Sequence, residues 1–388
     1  MNREEPLEPP RLSPLNREPL RAARPRATLL CLSHLRWGFV YQRPQHLMSR
    51  LAADYDVLFF EEPIFEGHAA PRLESHAAAP GVTLLVPQLP AGMHETQAIR
   101  AQRELLDGYL AKRQAAELLL WYFTPMSLAF TGHLQGQVVI FDCMDELSAF
   151  RHAPPALVDM ERRLMTRADV VFTGGHSLWE AKRRHHANIH AVPSSVDVAH
   201  FAAARQPLPE PADQAAIPGP RLGFFGVIDE RFDIQLLSEL AAQRPDWNIV
   251  LVGPVVKIDP ATLPRLPNIH YLGAKPYGEL PSYLSGWDVA LMPFALNEST
   301  RFISPTKTPE YLAGGRPVVS TPIRDVIKGY GDSGVVSIAA TPQGFIEAIE
   351  AALRIAPEAV ERLADQVLDG MSWDKTCATI RERIECLR

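Results

Sequence analysis

The sequence predicts an α/β protein of two doubly wound, Rossmann-like domains that face each other across a cleft. Three observations carry that expectation. Uninterrupted apolar runs such as Thr28-Leu-Leu-Cys-Leu-Ser33 recur along the chain, as parallel strands buried on both faces require. Amphipathic stretches separate those runs. The programme then halts at a segment with prolines at 207, 209, 211, 218 and 220, and restarts at Arg221-Leu-Gly-Phe-Phe-Gly226.

A length of 388 residues suits two domains of similar size. In the first, strands are expected at 28–33, 56–60, 82–86, 117–123, 137–142, 169–173 and 189–192, with helices near 43–53, 97–115, 154–166 and 176–186. In the second, strands at 221–226, 247–252, 268–272, 288–293, 317–321 and 335–338 alternate with helices near 233–243, 280–285, 307–313, 342–354 and 357–369. The expected organisation is a disordered Pro/Arg/Glu-rich tail over 1–26, a first domain over 27–204, a linker over 205–220 and a second domain over 221–371. A last helix within 372–388 is free to pack back on the first domain.

Hydrophobic residues at 46% and charged residues at 22% are ordinary for a soluble globular chain. A formal net charge of −6 argues against general nucleic-acid affinity. Cys31, Cys143, Cys377 and Cys386 form no Cys-x-x-Cys pair, which sets aside the common zinc spacings and fits a reducing compartment. The most apolar run, Leu118 to Phe130, is broken by Thr124, Pro125 and Ser127 and is too short to cross a bilayer. The first residues lack the apolar core of a signal peptide. The expected location is therefore cytoplasmic, with a peripheral contact with the inner membrane surface left open. Lys182-Arg-Arg-His-His186 could meet anionic headgroups, but such a run is ordinarily a solvated helix face.

Ligands of open α/β sheets sit outside the carboxyl ends of the strands, so the loops there hold the candidate site residues. Ser304 to Ser320 reads as a loop, a short helix, a glycine stop and a buried strand. Pro305 and Pro309 fit only at or before the first helical turn, Thr306 is the expected N-cap, and Gly314-Gly315 supply the left-handed stop. Lys307 and Glu310 share one face at that helix start, an arrangement suited to a phosphorylated, hydroxyl-rich ligand. Gly226 permits close backbone approach, and Arg231, five residues on, can hold a phosphate in a bidentate way.

In the first domain, the loop from Ser33 to Arg43 offers Gly38 for close approach and His34, Arg36, Gln42 and Arg43 for anionic or hydroxyl groups. Asp142 and Asp145 follow an apolar strand, where either carboxylate can take a proton from an attacking hydroxyl. Capping of the next helix by Asp145 or Glu146 is the plainer alternative. His176, in Thr173-Gly-Gly-His-Ser177, can serve in acid–base or hydrogen-bonding roles, although a lone histidine is more often structural. Asp54-Tyr-Asp56 precedes a strand instead of following one, so a turn explains it better than a metal. Neither Gly-x-Gly-x-x-Gly nor a Walker P-loop occurs, which weakens a nicotinamide reading.

Gly273-Ala-Lys-Pro-Tyr-Gly-Glu-Leu-Pro-Ser-Tyr-Leu284, then Trp287-Asp-Val-Ala-Leu-Met-Pro-Phe294, then Ser304 to Ser320 resemble, in that order, glycosyltransferases of the GT-B fold near family 4. The resemblance covers about residues 27 to 388, and Asp197 in Pro193-Ser-Ser-Val-Asp-Val198 resembles the family's Gly-Val-Asp element, with Ser195 replacing glycine. It implies a nucleotide-diphosphate sugar as donor substrate, bound by the second domain without a cofactor or metal. Gly226, Arg231 and Lys307 would meet the diphosphate, Glu310 the ribose hydroxyls, and Lys275 to Tyr277 the nucleobase. The first domain would take a saccharide or lipid-linked acceptor, with Gly38 and Arg43 as contacts and Asp142, Asp145 or His176 in the catalytic role.

The family usually carries a second glutamate eight residues before the position of Glu310. Here that position is Phe302, with Asn297, Glu298 or Arg301 as substitutes, or the chain belongs to a divergent branch resembling bacterial exopolysaccharide glucuronosyltransferases. The implied activity is sugar transfer in cell-envelope or exopolysaccharide synthesis. A sugar-nucleotide epimerase and a nucleotide-sugar-binding subunit without turnover are alternatives on the same fold.

Overall fold

The computed structural model describes residues 26–67, 69–113 and 117–388. The tail expected over 1–26 therefore lies, but for Arg26, outside the described residues. The first domain contains strands β1 (Thr28–Leu32), β2 (Asp56–Phe60), β3 (Ile64–Glu66), β4 (Arg72–Ala79), β5 (Val82–Pro90), β6 (Leu118–Tyr122), β7 (Val138–Cys143), β8 (Val170–Thr173) and β9 (Ile189–Ala191). They form one sheet in the order β3-β5-β2-β1-β6-β7-β8-β9, parallel throughout except for β4, which pairs antiparallel on β5.

The continuous apolar runs are explained by the two faces of this sheet. Leu29 and Cys31 of β1 join one core cluster with Val57, Phe59 and Trp121. Leu30 and Leu32 join another with Leu58, Phe60, Leu120 and Tyr122. Successive side chains of a strand point to opposite faces, so a sheet covered on both sides needs every position apolar.

The second domain repeats the plan with β10 (Arg221–Phe225), β11 (Asn248–Val252), β12 (Ile269–Gly273), β13 (Val289–Met292), β14 (Val318–Ser320) and β15 (Val336–Ile338). The order is β12-β11-β10-β13-β14-β15, all parallel. The helix Trp373–Glu385 then returns to the first domain. Its buried stripe of Trp373, Cys377, Ile380 and Ile384 joins Leu47, Met48 and Leu51 of the helix Arg43–Leu51. Arg50 pairs with Asp374 at 2.7 Å and Arg381 with Asp54 at 2.8 Å along the seam.

Several details differ from the sequence reading. β3 and β4 were not expected: β4 is largely exposed, carries alanines and charges, and is held by pairing with β5 rather than by an apolar run. The segment over 205–220, expected as a linker, is docked on the second domain through Gln214 and Ile217. The second core starts at Val196 and takes in Phe201, Ala204 and Ile217, while buried Gln214 donates to the Tyr283 carbonyl (3.0 Å) and accepts from Trp287 Nε1 (2.9 Å). Proline restricts the chain without preventing docking, and these anchors are too widely spaced to register as a run. The helix Arg324–Tyr330 was also missed, and the helix from His176 ends at Lys182. Lys182 itself is buried and paired with Glu146 (2.6 Å) and Glu161, so the exposed part of that run is Arg183, Arg184 and His185.

Phe302 is half-buried and packs against the first-domain core cluster that holds Leu30, Leu164 and Leu178. It joins the two domains.

Candidate active site

A cavity of about 450 Å³ lies between the carboxyl edges of the two sheets. The first domain lines it with Trp37 to Arg43 after β1, Met144 and Asp145 after β7, and Gly174 after β8. The second lines it with Gly226 and Arg231 after β10, Gly253 after β11, Lys275 to Tyr277 after β12, and Ser304 to Lys307 with Glu310. Parallel strands present all their carboxyl ends at one edge, so loops far apart in sequence converge there.

The centre of the second-domain wall is Gly226. Its φ of +146° lies where L-residues with side chains rarely go. A Cβ at Gly226 would also collide with Cε of Lys307, so the bare backbone is what lets the lysine cross the end of β10. Gly253, with φ +147°, is required in the same way because its Cβ would strike the Gly226 carbonyl.

Lys307 opens the helix Lys307–Ala313, and Glu310 lies one turn on. Thr306 occupies the N-cap position, but its side chain makes no capping bond, which corrects the expected cap. Gly315, at φ +73°, supplies the left-handed stop. Burial lowers the Lys307 ammonium, with Glu310 opposing and Arg231 adding to the effect. Burial pushes the Glu310 carboxyl up to about 8, against the pull of Lys307.

Arg231 is held by Asp229, which is 2% exposed. The contacts are Nη2–Oδ2 at 2.7 Å and Nε–Oδ1 at 3.0 Å, and the guanidinium also lies 5.2 Å from the ring centre of Phe150 in the first domain. The sequence reading missed Asp229; the only signal was a carboxylate two residues before the arginine in a strand-end loop. Lys275 reaches the cavity wall while donating to Asp213 at 2.7 Å. The Tyr277 ring stacks on His200 (4.4 Å, 13°) and meets Tyr41 of the first domain (4.8 Å). Its hydroxyl is buried with no partner among the described residues.

The first-domain candidates separate. Gly38 and Asp145 line the cavity. Asp145 is raised by burial and pulled back by Arg231 across the cleft, and no described residue donates a hydrogen bond to its carboxylate. Asp142 points elsewhere. It is 0% exposed and accepts from Arg43 Nε at 3.0 Å to each oxygen, while Arg43 Nη1 donates to the Val192 carbonyl at 2.8 Å. This buried pair ties β7, the helix Arg43–Leu51 and the end of β9 together, which keeps the Asp142 carboxylate out of the cavity wall and occupies the Arg43 guanidinium. His176 is exposed and lines a different cavity. Glu298 is exposed beside Arg301 (3.8 Å) and does not line the cavity. Asp56 and Asp54 pair with Arg113 and Arg381 away from the cavity wall. Among the described residues no three His, Cys, Asp or Glu side chains gather as metal ligands.

Two nucleotide-fold domains whose strand ends enclose one cleft define the GT-B architecture. Residues 219–354 match the family model for glycosyl transferases group 1. A putative teichuronic acid biosynthesis glycosyltransferase, TuaH, of Bacillus subtilis strain 168 is 30% identical over 220 residues, 52% of this chain and 55% of that protein. The chain thus aligns with about half the length of this curated relative. Among solved structures, a sucrose-phosphate synthase from Thermosynechococcus elongatus superposes with a TM-score of 0.68 at 16% identity, covering 93% of this chain and 99% of that one. Anabaena HepE, solved in complex with UDP and glucose, gives a TM-score of 0.68 at 12% identity, covering 93% of this chain and 100% of that one. These likenesses establish the fold. No helix among the described residues is long and apolar enough to cross a membrane.

Proposed function

We propose that the chain is a glycosyltransferase that moves a sugar from a nucleoside-diphosphate donor to a saccharide or lipid-linked acceptor of the cell envelope. The observation that carries this reading is the convergence of Arg231, Lys307 and the buried Glu310 around the bare backbone of Gly226 in the interdomain cavity. The structural neighbour HepE binds UDP and glucose, and TuaH is named for an envelope polymer.

The chemistry then follows from charge. The bond between the anomeric carbon and the β-phosphate oxygen breaks, and the departing diphosphate gathers negative charge beside Arg231, Lys307 and the start of the helix Lys307–Ala313. Glu310 accepts hydrogen bonds from ribose hydroxyls. Asp145 takes the proton of the acceptor hydroxyl as its oxygen bonds to the anomeric carbon. The two cations make a metal ion unnecessary for neutralising the leaving group, so turnover should persist in a chelator.

Calorimetry with UDP, GDP and ADP, followed by a turnover assay, tests the reading. Lys307→Ala should weaken nucleotide binding by roughly tenfold to a hundredfold, the effect of losing a charged hydrogen bond. Unchanged affinity in that variant would refute the donor site. Phe302 favours a second reading, because the position of the family's glutamate is here a contact between domains. Nucleotide-sugar binding with neither transfer nor hydrolysis would select a binding subunit instead.

A further inference from the structure

A second cavity of about 460 Å³ adjoins the first, and Ser194, Ser304 and Pro305 line both. Its walls come from the start of the helix His176–Lys182, the helix Arg324–Tyr330 of the second domain and the returning helix Trp373–Glu385. Asp325 lies in this wall and is 8% exposed. Its Oδ1 accepts the backbone N–H of Ser177 at 3.0 Å. Its Oδ2, beside Gly175, has no donor among the described residues, and the Ser177 hydroxyl is likewise buried without a partner. Buried carboxylate oxygens without donors are rare and call for a reason.

Two lysines line the same space. Lys328 is engaged with Glu180 at 3.1 Å. Lys375 is exposed and has no ion-pair partner among the described residues. A carboxylate that lacks a donor and a lysine that lacks an anion define a ligand bearing both hydroxyl groups and negative charge. The shared wall at Ser194 and Ser304 lets such a ligand extend toward Asp145 in the donor cavity.

We propose that this second cavity is a subsite for an anionic sugar unit of the acceptor, with Asp325 receiving a sugar hydroxyl and Lys375 meeting its carboxylate or phosphate. The word acceptor rests on the glycosyltransferase reading; the ligand chemistry of the cavity does not.

The test uses the full chain and three probes, sodium glucuronate, glucose 6-phosphate and glucose, with binding read by ligand-observed NMR and UDP affinity read by calorimetry. One of the anionic sugars should bind about tenfold more tightly than glucose, and the preferred one identifies carboxylate or phosphate. Lys375→Glu should erase that preference. Asp325→Asn keeps the oxygen that accepts from Ser177 and presents an amide in place of the free oxygen, so it should weaken all three sugars. UDP affinity should be unchanged in both variants. Equal affinity of the anionic sugar for the wild type and Lys375→Glu, or no preference over glucose in the wild type, would overturn the subsite. A wild type that binds the anionic sugar but not UDP would sustain the subsite and overturn the transferase reading.

Discussion

Replacing Glu310 by glutamine probes the electrostatics of the proposed donor site directly. Burial raises its carboxyl from an ordinary 4.5 to about 8. Between those values the folded chain retains a proton that the unfolded chain has lost, so stability falls as pH rises through that window. The full loss by pH 8 is about 5 kcal/mol, reduced wherever water enters the cleft. Glutamine keeps the shape without the ionisation. It also deprives Lys307 of its carboxylate neighbour, so burial lowers that ammonium further and the variant gains stability with pH. Both effects move the comparison in one direction: Glu310→Gln should gain on the wild type by roughly 2–4 kcal/mol from pH 5 to pH 9. Urea unfolding at each pH, with unchanged m-value, measures this. Parallel curves for the two proteins across that range would refute the buried-carboxyl argument. In the wild type, UDP binding should release a proton near pH 7, because hydroxyls donating to Glu310 favour its ionised form. Calorimetry in buffers of different ionisation heat reads that release.

Gly226→Ala places a Cβ against Lys307 and forces a side-chain residue to φ +146°, so it should lose about 1–3 kcal/mol of stability and most nucleotide affinity, checked by thermal unfolding and calorimetry. Asp142→Ala leaves the Arg43 guanidinium buried and unpaired and should cost about 3–5 kcal/mol in chemical denaturation. Asp145→Asn should retain UDP affinity and fold while losing about a hundredfold or more in transfer rate, separating a base from a donor contact in steady-state kinetics.

The fold was legible because its physics is local. Val138 to Phe141 and Val289 to Met292 are apolar at every position, which a strand covered on both faces must be, and the glycine that ends the run at β10 announced the turn that follows. The edge strand β4 and the docked segment around Phe201 and Ile217 lacked that signal, since pairing and distant anchors hold them. Helix and strand-end chemistry singled out Lys307, Glu310 and Gly226, which the structure brings to one cavity wall.

What the sequence determined by itself was therefore the apolar strands covered on both faces, the sheet edge expected to hold a ligand and the charged groups at the start of the helix Lys307–Ala313. Only the tertiary structure separated Asp142 from Asp145. They are three residues apart, one in β7 and one in the loop after it, yet one is sealed against Arg43, a partner 99 positions away, while the other opens on the cleft. Only the structure, too, assigned Phe302 to the joint between domains and brought Asp325 and Lys375 to one cavity. Strand order and helix return create such neighbours from residues far apart, and no local pattern along the chain encodes them.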